Sequence, residues 1–456
     1  MKDIPETLFS WGVASFIDPE DSFRKKIESK ISGAYKKELI IKLGVDPTRP
    51  DIHLGHAVIL RKLRAFQDIG CKVIFLIGDY TSMIGDPTGK SKVRPEISMQ
   101  EIEKNMKTYL EQVGKILKVD KTVFSWIRNS DWFLDVSDVR PKANLRIKLN
   151  SLIINPSSFV GKALVFEETR MQKTHLKLKK IQTFSFTRVL SVLRKITHAR
   201  LIERDMFQDR LKGGSELFMH EMLYPVLQGI DSSVLYSVYG ACDLEIGGTD
   251  QTFNMLMGRD VMKITKQPEQ AVMSMEILEG LDGKEKMSKS LDNYIGISDE
   301  ANDMYGKIMS LPDSLISRYF KLATFTTEED ILILEKDINL GTLHPKIAKM
   351  QLARQVVAMY HGEKFAESAE KSFTEIFSKG EIPEDVPYFK IEDKTSVMDA
   401  LVLSGCASSK GEARRLIEQG AVTLLDTNKK IEDGELVVFG TYRVGKHRFL
   451  KFINLK

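Results

Sequence analysis

Between residues 38 and 128, three short apolar runs, ELIIKLGV, CKVIFLIG and KTVFSWIR, alternate with longer amphipathic stretches. Runs this short, separated by helix-length connections, cannot pair as hairpins. They fit a parallel sheet joined by crossover helices. The pattern predicts a strand over 38–48 ending in the turn Asp46-Pro47-Thr48, a helix over 56–70 stopped by Gly70, and a strand over 71–79. A helix over 99–118 and a strand over 121–128 follow, and the alternation resumes at DLEIGGTDQ (243–251). The expected fold class is α/β, with a doubly wound, Rossmann-like parallel-sheet domain across residues 1–299.

A chain of 456 residues exceeds what one core organises, so further domains are expected. Residues 138–180 break the alternation with a basic insertion running from Arg140 to Lys180. From 300 to 380 the pattern is helical, with MQLARQVVAMYHG as its clearest amphipathic run. A Pro- and acid-rich linker is expected at 381–394, and 395–456 reads as two helices and then short strands, a small α+β domain. The three cysteines lie far apart, which argues against a disulfide scaffold or zinc knuckle and for a reducing, cytoplasmic setting. No stretch approaches the roughly 18–20 apolar residues of a membrane span, and MKDIPETLFSWG has no signal-peptide pattern.

PDIHLGHAVIL (50–60) places His53 and His56 three residues apart around Leu54-Gly55, where a turn enters a helix. Metal binding, core packing and phosphate handling are the candidate roles. A metal needs three or four ligands, and His175 is the next histidine in the chain. Helix N-termini favour anions through free N–H groups and the helix dipole, and Gly55 would let a flat base lie on the backbone. Phosphate handling is the better fit. Far downstream, LDGKEKMSKSLDN (281–293) sets Lys286 and Lys289 three apart, with Ser288 and Ser290 as hydroxyl donors. A solvated basic loop is the plain alternative for such a segment taken alone.

Together, HLGH and KMSKS resemble the two signatures of class I aminoacyl-tRNA synthetases. KLGVDPT (42–48), GDPTGK (85–90), LYPVLQGID (223–231) and EIGGTDQ (245–251) resemble, in order, blocks of the bacterial-type tyrosyl-tRNA synthetase family. That resemblance implies a tyrosine–tRNA ligase. Such an enzyme joins tyrosine to ATP as a tyrosyl-adenylate, then passes it to the terminal adenosine of tRNA(Tyr). It also implies a homodimer.

By the same resemblance, Thr48, His53 and His56 contact the ATP phosphates and Gly55 the adenine. Lys286, Ser288 and Lys289 close on the pyrophosphate, with Lys90 and Arg94 as further basic partners. Mg²⁺ is expected on the phosphates, with no protein cage. Asp86, Tyr224 and Gln228 would take the tyrosine ammonium and Asp231 its hydroxyl. Gly248, Asp250 and Gln251 would hold the ribose and the carboxylate, with Asp46 beside them. Three departures bear on the tyrosine pocket: Lys42 and Ile230 stand where many members have tyrosines, and Glu245 where some have glutamine.

Residues 395–425 and 434–453 resemble a small RNA-binding domain named after a ribosomal small-subunit protein. Lys410, Arg414, Arg415, Lys446, His447 and Arg448 would be its phosphate-facing patch. The resemblance implies that the 300–380 helices lie on the anticodon side, and the 138–180 insertion is read either as a segment that touches tRNA or as a solvated loop. Three rival readings are a tryptophanyl-tRNA synthetase, an RNA-tethering protein that has lost catalysis, and a small nucleotidyltransferase.

Overall fold

The computed structural model describes residues 7–88, 97–133, 186–288, 291–379, 386–407, 409–427, 429–445 and 448–455. The chain divides into two units, Met1–Leu278 and Glu279–Lys456.

The first unit is built on six strands: β1 (Val13–Ile17), β2 (Ile40–Val45), β3 (Lys72–Ile77), β4 (Phe124–Arg128), β5 (Leu244–Gly248) and β6 (Ala271–Met275). Their spatial order is β1-β6-β5-β2-β3-β4. All neighbours are parallel except β1, which lies antiparallel on β6. β2 through β5 fall within the predicted strands, because continuous apolar runs are what a sheet covered on both faces requires. The helices Leu54–Asp68 and Met99–Val113 match their expectations to within a few residues.

Chain order reverses between β2 and β5, which makes their carboxyl ends a topological switch point, where doubly wound sheets bind ligands. The β2–β5 ladder registers only Ile41 with Leu244 and Lys42 with Glu245. By contrast, β2 and β3 pair along six residues. The loops after β2 and β5 therefore flank a crevice.

One face of the sheet is covered by Met219–Tyr239, a helix with a largely buried surface, packed on Thr252–Ile264. Gly229 permits that approach, since a Cβ there would meet the Met257 carbonyl oxygen at 2.8 Å.

The second unit holds the helices Ala301–Met309, Ile316–Ala323, Glu328–Leu340, Pro345–His361 and Glu363–Lys379. The amphipathic run noted above lies in Pro345–His361, with Ala348, Leu352, Ala353, Val356 and Val357 buried along one stripe. A second sheet has the order β7-β11-β10-β8-β9. Its strands are β7 (Tyr388–Ile391), β8 (Val422–Leu424), β9 (Lys429–Lys430), β10 (Gly440–Val444) and β11 (Arg448–Asn454). With the helices Val397–Leu403 and Lys410–Glu418 it encloses its own apolar cluster, from Ile391 to Phe452. One expectation is corrected here: β7 lies inside the stretch read as linker, because it finds a parallel partner in β11 some sixty residues later. No described helix is long and apolar enough to cross a membrane.

Candidate active site

β2 delivers Asp46 to the switch point. Its Oδ1 accepts from Thr81 Oγ1 at 2.9 Å and its Oδ2 from the Tyr224 hydroxyl at 2.9 Å. The carboxylate fits because residue 78 is glycine; a Cβ there would collide with Asp46 Oδ1 and Thr81 Oγ1.

The loop that follows is pinned by one face of Met99–Val113. Asn105 donates to the Pro47 carbonyl at 3.0 Å, and Gln112 accepts from the Ile52 N–H at 2.7 Å and donates to the Pro50 carbonyl at 2.8 Å. That loop leads to His53, the N-cap of Leu54–Asp68, with Gly55 and His56 in the first turn. The two imidazole rings lie 3.9 Å apart, and the His53 backbone N–H donates to His56 Nδ1 at 3.4 Å. The pair thus sits where a helix N-terminus presents N–H groups to an anion.

Asp86 is buried just past the short helix Asp79–Ile84 that follows β3. Its Oδ1 accepts from the Thr88 N–H at 3.0 Å and Thr88 Oγ1 at 2.6 Å, and its Oδ2 from Gln251 Nε2 at 2.7 Å. Gln251 follows β5 in the turn Thr249–Gln251, so this amide ties that turn to the segment past Asp79–Ile84. Burial opposes the charge on Asp86, but Arg204 (3.7 Å away), Thr88 and Gln251 outweigh it and hold the carboxyl below its usual range. Gly248 ends β5 and Asp250 lies in the turn, and a Cβ on Gly248 would come within 2.7 Å of Asp250 Oδ1.

Tyr224, Gln228 and Asp231, at i, i+4 and i+7, share one face of Met219–Tyr239. Asp231 is buried and accepts from Trp132 Nε1 at 3.0 Å and Asn129 Nδ2 at 3.4 Å. Burial pushes its carboxyl up to about 7, although Lys42, Asn129 and Trp132 pull the other way. Two carboxylates, Asp86 and Asp231, are therefore tuned in opposite directions.

The fate of Lys42 explains two of the departures. Its Nζ is fully buried and contacts Glu245 Oε1 at 2.9 Å, Ser232 Oγ at 2.8 Å and the Gln228 carbonyl at 3.0 Å. Lys42 is thus committed to Glu245, and the extra carboxylate arrives neutralised. Glu245 Oε1 also accepts from Gln228 Nε2 at 3.0 Å. That fixes the Gln228 amide with its nitrogen turned to Glu245, leaving its carbonyl as the acceptor. Ile230 is fully buried in the apolar cluster.

In the second unit, Asn293 binds the KMSKS segment together. It accepts from the Ser288 N–H at 2.8 Å and donates to the Lys286 carbonyl at 3.2 Å and Asp282 Oδ2 at 2.7 Å, while Met287 is buried. Lys289, Lys90, Arg94, Lys446, His447 and the 138–180 insertion lie outside the described residues. Of the expected RNA-facing cations, Lys410 pairs with Asp399 at 2.6 Å, Arg414 with Asp433 at 3.3 Å and Arg448 with Asp303 at 2.9 Å. The first two are exposed pairs of little net strength. Arg415 donates to the Gly411 carbonyl at 3.4 Å.

Sequence reasoning missed Arg204, Asn129 and Trp132, which mark no motif. It also missed Asn105 and Gln112, whose seven-residue spacing on an amphipathic helix was a readable sign of a polar face meeting a loop.

Comparison with known proteins accords with this geometry. Residues 34–140 and 151–378 match the family described as tRNA synthetases class I (W and Y), and 378–449 match the tyrosine–tRNA ligase SYY-like C-terminal domain. Tyrosine–tRNA ligase 2 of Clostridium acetobutylicum is 38% identical over 99% of this chain and 100% of its own length. The tyrosine–tRNA ligase of Francisella tularensis is 40% identical over 91% and 92%. A truncated mitochondrial tyrosyl-tRNA synthetase of Aspergillus nidulans shares the fold, with TM-score 0.54 at 20% identity, covering 80% of this chain and 92% of that one. The chain is a class I aminoacyl-tRNA synthetase. Within that class it belongs to the tyrosine–tRNA ligase family, whose reaction is tyrosylation of tRNA through an adenylate.

Proposed function

We propose that the chain activates L-tyrosine with ATP and transfers it to tRNA(Tyr) through the residues assembled at the switch point. The observation that carries this reading is the pair of buried carboxyls, Asp86 and Asp231, tuned in opposite directions. Asp86, held ionised, suits an ammonium, and Tyr224 and the Gln228 carbonyl would join it there. Asp231, buried with two donors, suits a phenolic hydroxyl, and a ligand without that hydroxyl leaves it poorly satisfied.

The tyrosine carboxylate is already ionised at neutral pH, so its attack on the α-phosphorus needs no general base. The bond from carboxylate oxygen to phosphorus forms as the bond to the bridging oxygen breaks, and pyrophosphate leaves with that electron pair. What the protein supplies is alignment and charge stabilisation. Thr48, His53 and His56 serve the phosphates at the helix N-terminus, and Gly55 receives the adenine. Asp46, Gly248, Asp250 and Gln251 serve the ribose and carboxylate. Lys286, Ser288 and Lys289 act on the pyrophosphate, with Lys90 and Arg94.

No group of three His, Cys, Asp or Glu among the described residues fits a metal. Mg²⁺ would ride on phosphate oxygens and water, where it would supply charge neutralisation. The reading extends to a cytoplasmic homodimer, with 1–299 catalytic, 300–380 on the anticodon side and 395–456 binding RNA through Lys410, Arg414, Arg415, Lys446 and Arg448. The insertion at 138–180 would touch tRNA.

ATP–pyrophosphate exchange run with each amino acid in turn tests the assignment. Exchange dependent on tyrosine alone is expected, and dependence on tryptophan instead overturns it.

A further inference from the structure

In the activation step two anions, the tyrosine carboxylate and the α-phosphate, must be brought into bonding contact, and the residues assigned above put no cation between them. The lysines of 286–289, with Lys90 and Arg94, serve the departing end of the triphosphate. Five cationic side chains are buried among the described residues of the first unit: Lys42, Lys62, Arg128, Arg204 and Arg210. Four are committed elsewhere. Lys42 pairs with Glu245, and Lys62 donates to the Thr7 and Leu8 carbonyls. Arg128 lies between Asp79 and Glu103, and Arg210 pairs with Glu221 at 2.7 Å.

Arg204 differs. Only 5% exposed, it spends one nitrogen, Nη2, on the Thr88 hydroxyl and lies 3.7 Å from Asp86. Its Nη1 is buried and has no hydrogen-bond partner among the described residues, a costly condition for a guanidinium with nothing to bind. The rings of Phe207 and Phe253, 5.2 and 5.8 Å from its Cζ, hold the planar group in place. Its electrostatic neighbours are Asp86 and Tyr224 on the amino acid side and Asp250 on the ribose side. An adenylate spanning those subsites carries its carboxyl–phosphate junction between them.

We propose that Arg204 is a further catalytic residue. Its guanidinium donates to the tyrosine carboxylate on binding, and to a non-bridging α-phosphate oxygen as the new bond forms. It exchanges no proton; it cancels the repulsion between the two anions and stabilises charge that builds on phosphorus. This rests on the tyrosine-activating reading of the same site.

The test combines exchange kinetics with equilibrium binding of L-tyrosine and of tyramine, which keeps the ammonium and phenol but lacks the carboxylate. Arg204→Gln is expected to slow exchange about 100-fold and to weaken tyrosine binding about tenfold. Tyramine binding should hold or tighten, because the cation facing Asp86 is gone. Should that variant not fold, Arg204→Lys carries the same test; it keeps the charge but loses the fork, and about tenfold slower exchange is expected.

Loss of tyramine affinity in step with tyrosine would reduce Arg204 to a structural support for Asp86 and overturn the proposal. So would exchange within about threefold of wild type in either variant, well short of what a lost charge-assisted bond costs. Wild-type protein that shows no tyrosine-dependent exchange would instead sink the underlying functional reading.

Discussion

Asp231 is the carboxyl whose chemistry its surroundings alter most visibly among the described residues, and two outcomes follow. Replacing it with alanine removes the acceptor proposed for the phenol, so kcat/KM for tyrosine should fall about 10- to 100-fold in exchange assays while the weak reaction with phenylalanine changes little. The second outcome concerns stability. The folded value of about 7 lies above the unfolded one, so the protonated carboxyl favours the folded state. That contribution is complete in acid and fades as pH rises through 7. Asp231→Asn should therefore gain in Tm relative to wild type between about pH 6 and about pH 8, as thermal melts at both values would show.

Lys42 poses a packing question of the same kind. Lys42→Met strands Glu245 in the interior, and a loss of about 3 kcal/mol is expected in denaturant titrations. Lys42→Met combined with Glu245→Gln should recover much of it.

At the scale of the element, Met99–Val113 acts as a clamp on the loop that carries the histidine pair. Asn105→Ala and Gln112→Ala should each cost about 1–2 kcal/mol. Both should depress kcat/KM for ATP more than for tyrosine in steady-state exchange, because the loop they release leads into the turn proposed to bind phosphate. This element also marks how far the sequence could be read. β2 to β5 were legible because buried parallel strands are unbroken apolar runs. β1 was not, since none of its residues is fully buried, and β6, AVMSM, has a single β-branched residue. The motif residues were legible one by one. Their partners were not: Trp132 meets Asp231 across 99 positions and Arg204 meets Thr88 across 116, and no local pattern announces a contact that only the crossover connections create.

For the whole molecule, the C-terminal sheet and its two helices close on an apolar cluster of their own, so removing them need not unravel what precedes. A chain ending at residue 380 should keep tyrosine-dependent exchange while tRNA charging falls, and the charging that remains should respond less steeply to salt than that of the full chain. Deleting 142–178 should likewise spare exchange and weaken charging. Exchange and charging measured side by side at two ionic strengths check both.

The buried ion pair of Lys42 and Glu245 also binds the ancestry of two positions together. Neither partner can drift alone without abandoning a charge in the dry interior. Kindred proteins with an uncharged residue at 42 should therefore also have an uncharged one at 245, and the two should change hands as a couple down the family tree.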